Sequence, residues 1–327
     1  MRPQPHAVVL LGAQRFAPTL AETVAATGID GEIAVITAGW QEREPEDDEL
    51  SEHLGGRTTN LHLHRRADEV FQADPELAAA HRVRQELLRD LQDLYRIRLE
   101  SALQAEQRLR ERDVPSTVRA EVERAAMESI REIDQWHLAQ CARARAQYVA
   151  EMRPFERKAV ARHRVEIAAL MGRAAAIAIA GGHVASLLNR LELFGVADFI
   201  GHRAVFAWSA GAMVVSERVV LFHDDPPQGA GAAEVLDSGL GLVPGVVVLP
   251  QPERRLHLDR SERVRLMAQR FAPATCLAFP SRSHATWLIG AHASAADQVV
   301  ELLPDGRSAP FVPIPATPLP QRVRGDR

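Results

Sequence analysis

Only two cysteines occur in the 327 residues, Cys141 and Cys276, far apart and in unrelated surroundings. There is no CxxC pair, so neither a thiolate zinc site nor a disulfide framework is expected, and the chain reads as a protein of a reducing cytoplasm. Lysine is scarcer still: Lys158 stands alone, and the remaining fixed positive charge is arginine. A net charge of −4 leaves no polycationic footprint, which argues against nucleic acid as a partner. No run of about 18 apolar residues occurs, so no membrane-spanning helix and no membrane partner are expected. The opening MRPQPHAVVLLGAQRF sets a single arginine before an apolar run the length of a strand, shorter than a secretory signal's apolar region. The chain is long enough for one large α/β domain with an insertion, or for two domains.

Glycine is also missing from a long internal stretch, residues 67–171. Leu87, Leu91, Tyr95, Leu99 and Leu103 recur there every fourth position, the spacing of one apolar helix face. Asp113 and Pro115 interrupt the pattern, Ser116 can cap a second helix, and Pro154 ends that helix before a third that runs to Met171. The stretch is expected to be an all-helical insertion that packs on itself or makes a homodimer contact; a lid over a cleft is the alternative. It is expected to divide an α/β domain into a first part, 1–66, and a second part, 172–312, followed by a Pro/Arg-rich tail, 313–327, expected to be mobile.

In both α/β parts, compact apolar runs end in glycine or turn residues, as buried parallel strands do: HAVVLLG, EIAVITAG, AAAIAIAGG, AVFAW and GVVVLP. TTNLHLHRR predicts a third strand, with His62 and His64 on one polar face. ATWLIG and DQVVELLPDGR predict antiparallel strands, with PDG as a turn. The whole predicts a doubly wound, mostly parallel sheet with ligands at the C-terminal strand ends.

At AVFAWSAGAMVV, Ser209 follows an apolar strand and precedes an apolar helix, with Ala210, Gly211 and Ala212 as the small neighbours that a sharp nucleophile elbow requires. Gly181 and Gly182 end the preceding strand, where backbone N–H groups can approach a substrate carbonyl. WSAGA, with GGH at the earlier strand end and GLGLVPGVVVLP after it, resembles the peptidase E and cyanophycinase family of serine peptidases. The resemblance covers roughly 6–65 and 172–300. It implies a flavodoxin-like, class I glutamine amidotransferase-like fold, no cofactor and no metal, and a small peptide or amide substrate. It further implies Ser209 as nucleophile, oxyanion donors at Gly182 and Ala210, and Asp224 in FHDDPPQ, with Asp225 beside it, as the acid that orients a base.

The family's histidine is replaced. Its position, after VVVLP, holds Gln251, whose amide cannot take the serine proton at neutral pH. Three readings stand open. Another histidine serves, from among His257, His223 and His183. Or the chain is a pseudo-hydrolase that acts as a binding or assembly protein through its pocket or helical arm. Or Gln251 orients a water or the substrate, and slow turnover remains. Arg254, Arg255 and Arg260 are candidates to hold a carboxylate bidentately.

Overall fold

The computed structural model describes residues 4–224, 231–288 and 293–313. The first part of the chain runs β1 (Ala7–Leu11), α1 (Leu20–Ala26), β2 (Ile33–Ile36), α2 (Asp48–His53) and β3 (Thr58–Asn60). A helical stretch follows: α3 (Leu63–Ala73), α4 (Pro75–Arg110), α5 (Ser116–Met152) and α6 (Lys158–Arg173). The chain returns to alternation with β4 (Ala176–Ile179), α7 (Val184–Leu193), β5 (Ala204–Trp208) and α8 (Ala210–Val215). It then forms β6 (Arg218–Leu221), β7 (Glu234–Ser238), β8 (Val246–Pro250), α9 (Pro252–Arg255) and α10 (Ser261–Phe271). Strands β9 (Thr275–Phe279), β10 (His284–Leu288), β11 (Ala293–Asp297), β12 (Val300–Leu302) and β13 (Ser308–Pro310) close the described chain.

The central sheet has seven strands in the order β11-β10-β1-β5-β4-β2-β3. Strands β1, β5, β4, β2 and β3 run parallel, and β10 and β11 add an antiparallel edge. Its strands are apolar without alternation because both faces are covered. Val8, Leu10, Ile36, Ile177, Ile179 and Val205 pack beneath α3, α6, α7 and α8. Val9, Leu11, Val35, Ala178 and Phe206 face Leu20 and Val24 of α1 and Leu54 after α2.

Three expectations need correction. The α/β strands do not form one sheet: β8 and β9 are a parallel pair in a separate four-stranded sheet, β13-β12-β9-β8. Both are buried on two sides, so they look like central strands. The two late segments are antiparallel with a turn at Leu303–Arg307, as expected, but they divide between sheets, β10 joining the central one and β12 the smaller one, where it pairs with β13. The third strand stops at Asn60; His62 adopts a left-handed conformation at φ 48° before α3, so His62 and His64 share no strand face. No group of three or more potential metal ligands occurs among the described residues.

The glycine-free stretch lies against the body. By length α4 and α5 each extend about 54 Å. Asp74 caps α4 by accepting the Leu77 N–H at 3.0 Å, and Pro75 occupies the first turn. At the far end Arg119 donates to the Arg110 and Arg112 carbonyls, which lie in the last turn and beyond the end of α4. Tyr95, Leu99, Met127 and Ile130 enter a second core with Val235, Val247, Leu249, Met267 and Phe271. Within it Arg270 is 2% exposed and donates to both oxygens of Asp134, at 2.7 and 2.6 Å. The Tyr95 hydroxyl donates to Asp134 and accepts from Arg270 and from the Val235 N–H.

That cluster carries a stability prediction. Asp134→Ala leaves the Arg270 guanidinium buried without its counter-charge and should lower the unfolding free energy by roughly 3–5 kcal/mol. Tyr95→Phe removes one hydroxyl with three hydrogen bonds and should cost about 1–3 kcal/mol. Urea unfolding of the two variants and the parent checks both values and their order.

Candidate functional site

The register Ile179↔Ala207 between the parallel neighbours β4 and β5 brings their C-terminal ends side by side. Gly181–Gly182 and Ser209 therefore meet at one sheet edge. Ser209 sits between strand and helix at φ 51°, ψ −122°, a backbone region that side chains rarely occupy. The chain must turn there within one residue, because Trp208 still belongs to β5 and Ala210 already opens α8.

Glycine is required around this corner for contact, not for flexibility alone. A Cβ on Gly181 would stand 2.7 Å from the Ser209 Cβ and 3.4 Å from its Oγ. A Cβ on Gly211 would collide with the Ile179 carbonyl. Gly182, at φ 110°, packs its backbone on that of Gly39, and the His183 N–H donates to the Gly39 carbonyl at 2.7 Å. No described residue accepts a hydrogen bond from the Gly182 or Ala210 N–H.

Ser209, Gly181, Gly182 and Ala210 open onto a cavity of about 1350 Å³. Gln251 lines it too, in a left-handed conformation at φ 56° at the end of β8. The aromatic wall includes Trp40, Trp208, Phe16 and Phe222. The helical stretch contributes Arg96, which is held by Glu234 at 2.9 Å. Arg255 lines the cavity as an exposed residue whose guanidinium pKa is lowered by desolvation, and no described carboxylate offsets the shift. Arg254 stacks instead on Phe16, its guanidinium carbon 5.5 Å from the ring centre, and neither Arg254 nor Arg260 lines the cavity. A smaller charged cleft of about 380 Å³ lies between the α4 and α5 tips and α10, where Glu106 holds Arg110 and Arg265.

The remaining expected site residues lie elsewhere. Asp224 pairs with Arg263 at 2.7 Å and accepts the His257 N–H at 2.7 Å. His257 faces Asp259 at 3.7 Å, and neither Asp224 nor His257 lines the cavity. Asp225 lies outside the described residues. His183 is exposed and caps α7, its Nδ1 accepting the Ser186 N–H at 3.1 Å. His223 and His53 do line the cavity; the Nε2 of His53 accepts the Ala21 N–H at 3.1 Å. His53 is the lining imidazole that sequence reasoning missed, since α2 shows no motif. Burial pushes both thiols up to about 12, so neither cysteine offers a thiolate at neutral pH.

No family model and no curated protein matches the sequence. Among solved structures the chain is similar to one titled as the crystal structure of a peptidase from an acI-B1 Actinobacterium, at 14% identity over 96% of each chain and a TM-score of 0.46. At that distance the functional reading rests on this chain's own residues. No described helix is long and apolar enough to cross a membrane.

The strain at Ser209 is testable by itself. Ser209→Gly should raise the unfolding free energy by roughly 1 kcal/mol by relieving the positive φ. Ser209→Ala keeps the strain and should leave stability nearly unchanged. Paired urea midpoints distinguish the two outcomes.

Proposed function

We propose that this protein is a serine-dependent hydrolase of the peptidase E type, acting on a small peptide or amide with Ser209 as nucleophile. One observation carries the reading: Ser209 is held at a strained strand-to-helix corner, against Gly181, facing a large cavity. Strain of about 1–3 kcal/mol persists only where the surroundings enforce it, and it turns the Oγ away from the helix it precedes. The flavodoxin-like, class I glutamine amidotransferase-like fold belongs to the same proposal and is supported by the five parallel strands covered on both faces.

In the reaction the Ser209 Oγ bonds to the substrate carbonyl carbon while its proton passes to a base. The Gly182 and Ala210 N–H groups, which bond no described residue, hold the oxyanion. The C–N bond then breaks, the amine leaves with that proton, and water cleaves the acyl-serine. Arg255 supplies a cation paired with no described carboxylate for an anionic group on the substrate. The reaction draws on no metal or cofactor, and the cytoplasmic setting and the absence of nucleic-acid or membrane partners belong to the same reading.

Labelling with a fluorophosphonate probe tests it. The parent protein should be modified at Ser209, and Ser209→Ala should not be modified. Gly181→Ala pushes a methyl into the Ser209 side chain and should slow labelling by about 10²-fold, the cost of an ångström-scale misplacement. A parent protein that the probe leaves untouched would rule out serine chemistry.

A second reading, an assembly protein acting through its helical stretch, is favoured by an apolar stripe on α4. Val83, Leu87, Leu94 and Ile97 are 43–65% exposed at near-heptad spacing. If this stripe forms a homodimer, light scattering should give twice the chain mass, and Leu94→Glu should give the monomer. A monomeric parent protein at working concentration discards this reading.

A further inference from the structure

We propose that His223 is the general base for Ser209, supplied from the end of β6 in place of a residue after β8. This rests on the reading of Ser209 as nucleophile. Two imidazoles line the cavity among the described residues, His53 and His223. The Nε2 of His53 is engaged by the Ala21 N–H. The His223 ring has no hydrogen-bond partner among the described residues, and its Nδ1 is buried. A buried ring nitrogen without a partner costs stability, and such exceptions cluster where a group is kept available.

His223 stands on the wall of the cavity that Ser209 and Gln251 also line. A parallel bridge joins Ser216 to Val243. Further on, the Asp224 N–H donates to the Arg255 carbonyl at 2.9 Å, so His223 and Gln251 both lie in the two neighbouring segments between these contacts. The glutamine amide cannot accept the proton; the imidazole at the adjacent strand end can. Phe222, Leu221 and Met213 line the same cavity as His223 and Ser209. His257 is six residues from Gln251 along the chain, but its backbone is tied to Asp224 and it does not line the cavity.

The proton balance is simple. As the Ser209 Oγ–carbon bond forms, the Oγ proton moves to a His223 ring nitrogen, giving an imidazolium. As the C–N bond breaks, that proton goes to the departing nitrogen, and the neutral ring next takes a proton from the attacking water. It returns this proton to the Oγ when the acyl bond breaks.

The rate of Ser209 labelling by a fluorophosphonate probe, on the full chain, is the test. His223→Ala should slow labelling by about 10²–10⁴-fold, the usual contribution of a positioned base. Added imidazole should restore part of the rate in His223→Ala and in the smaller His223→Gly. Imidazole would not reverse a merely structural defect, so loss without rescue in both variants overturns the proposal. An unchanged rate in His223→Ala also overturns it, while leaving Ser209 as nucleophile. Loss in His257→Ala with His223→Ala unaffected gives the role to His257. If Ser209 is unlabelled in the parent protein, the nucleophile reading falls first and the base with it.

Discussion

Backbone touching backbone at the ends of β2, β4 and β5 is the constraint on which the site depends. Gly39 lies on Gly181 and Gly182, and Gly211 lies on the carbonyls of Ile179 and Ala180. Those atoms cannot rotate aside as a flexible side chain can, so any Cβ there must move a strand. The close approach lets α8 begin under the sheet edge with no intervening loop, and this forces Ser209 through the whole turn. Gln41, after β2, adopts nearly the same backbone angles, φ 59° and ψ −125°, and its amide donates to the Ser186 hydroxyl at 2.9 Å. Two strained residues thus flank one glycine cluster, each held by packing that local sequence does not reveal.

The second sheet and the long helices depend on a different arrangement. Apolar burial supplies the stabilisation: Tyr95, Leu99, Ile130, Val247 and Phe271 are fully enclosed. The Arg270–Asp134–Tyr95 cluster adds little net stability relative to apolar residues of the same volume. Its effect is on alignment, because a slipped helix pair would leave a full charge unmatched in the core. Closer to the central sheet, Arg145 bridges Glu192 of α7 and Asp237 of β7. The helical stretch is therefore tied to both halves of the body, and its Arg96 can serve as a fixed part of the cavity wall.

The corner at Ser209 is readable in the sequence because every cue there is local: an unbroken apolar strand, a serine, then three small residues. The long helices are readable for the same reason, through missing glycine and a four-residue apolar repeat, although Leu87 of that repeat is 43% exposed. Sheet membership is not local. GVVVLP and TCLAF have the composition of central strands, and only tertiary pairing separates them from β1 and β5. Short β3 ends where Asn60 turns its side chain to Thr37 and Asp47, and no periodicity in TTNLHLHRR marks that stop. The imidazole on the cavity wall is hidden likewise: distance along the chain favours His257, whereas adjacency of strand ends favours His223.

Asp224 and His257 show what replaces a triad built along those lines. The Asp224 N–H donates to the Arg255 carbonyl at 2.9 Å, while its carboxylate takes the His257 N–H and the Arg263 guanidinium. The acid is thus held by the segment from α9 to α10 and does not line the cavity. This clamp fixes the chain after β6 against the chain after β8. His223 immediately precedes the clamped aspartate, and Arg255 carries the clamped carbonyl, so both reach the cavity wall from one rigid junction. On the proposed reading, Asp224 positions His223 through its backbone and not through its side chain. That arrangement leaves the imidazole without a carboxylate partner of its own among the described residues. In the proposed role it would act with no described carboxylate beside it, so its imidazolium would be stabilised by what enters the cavity.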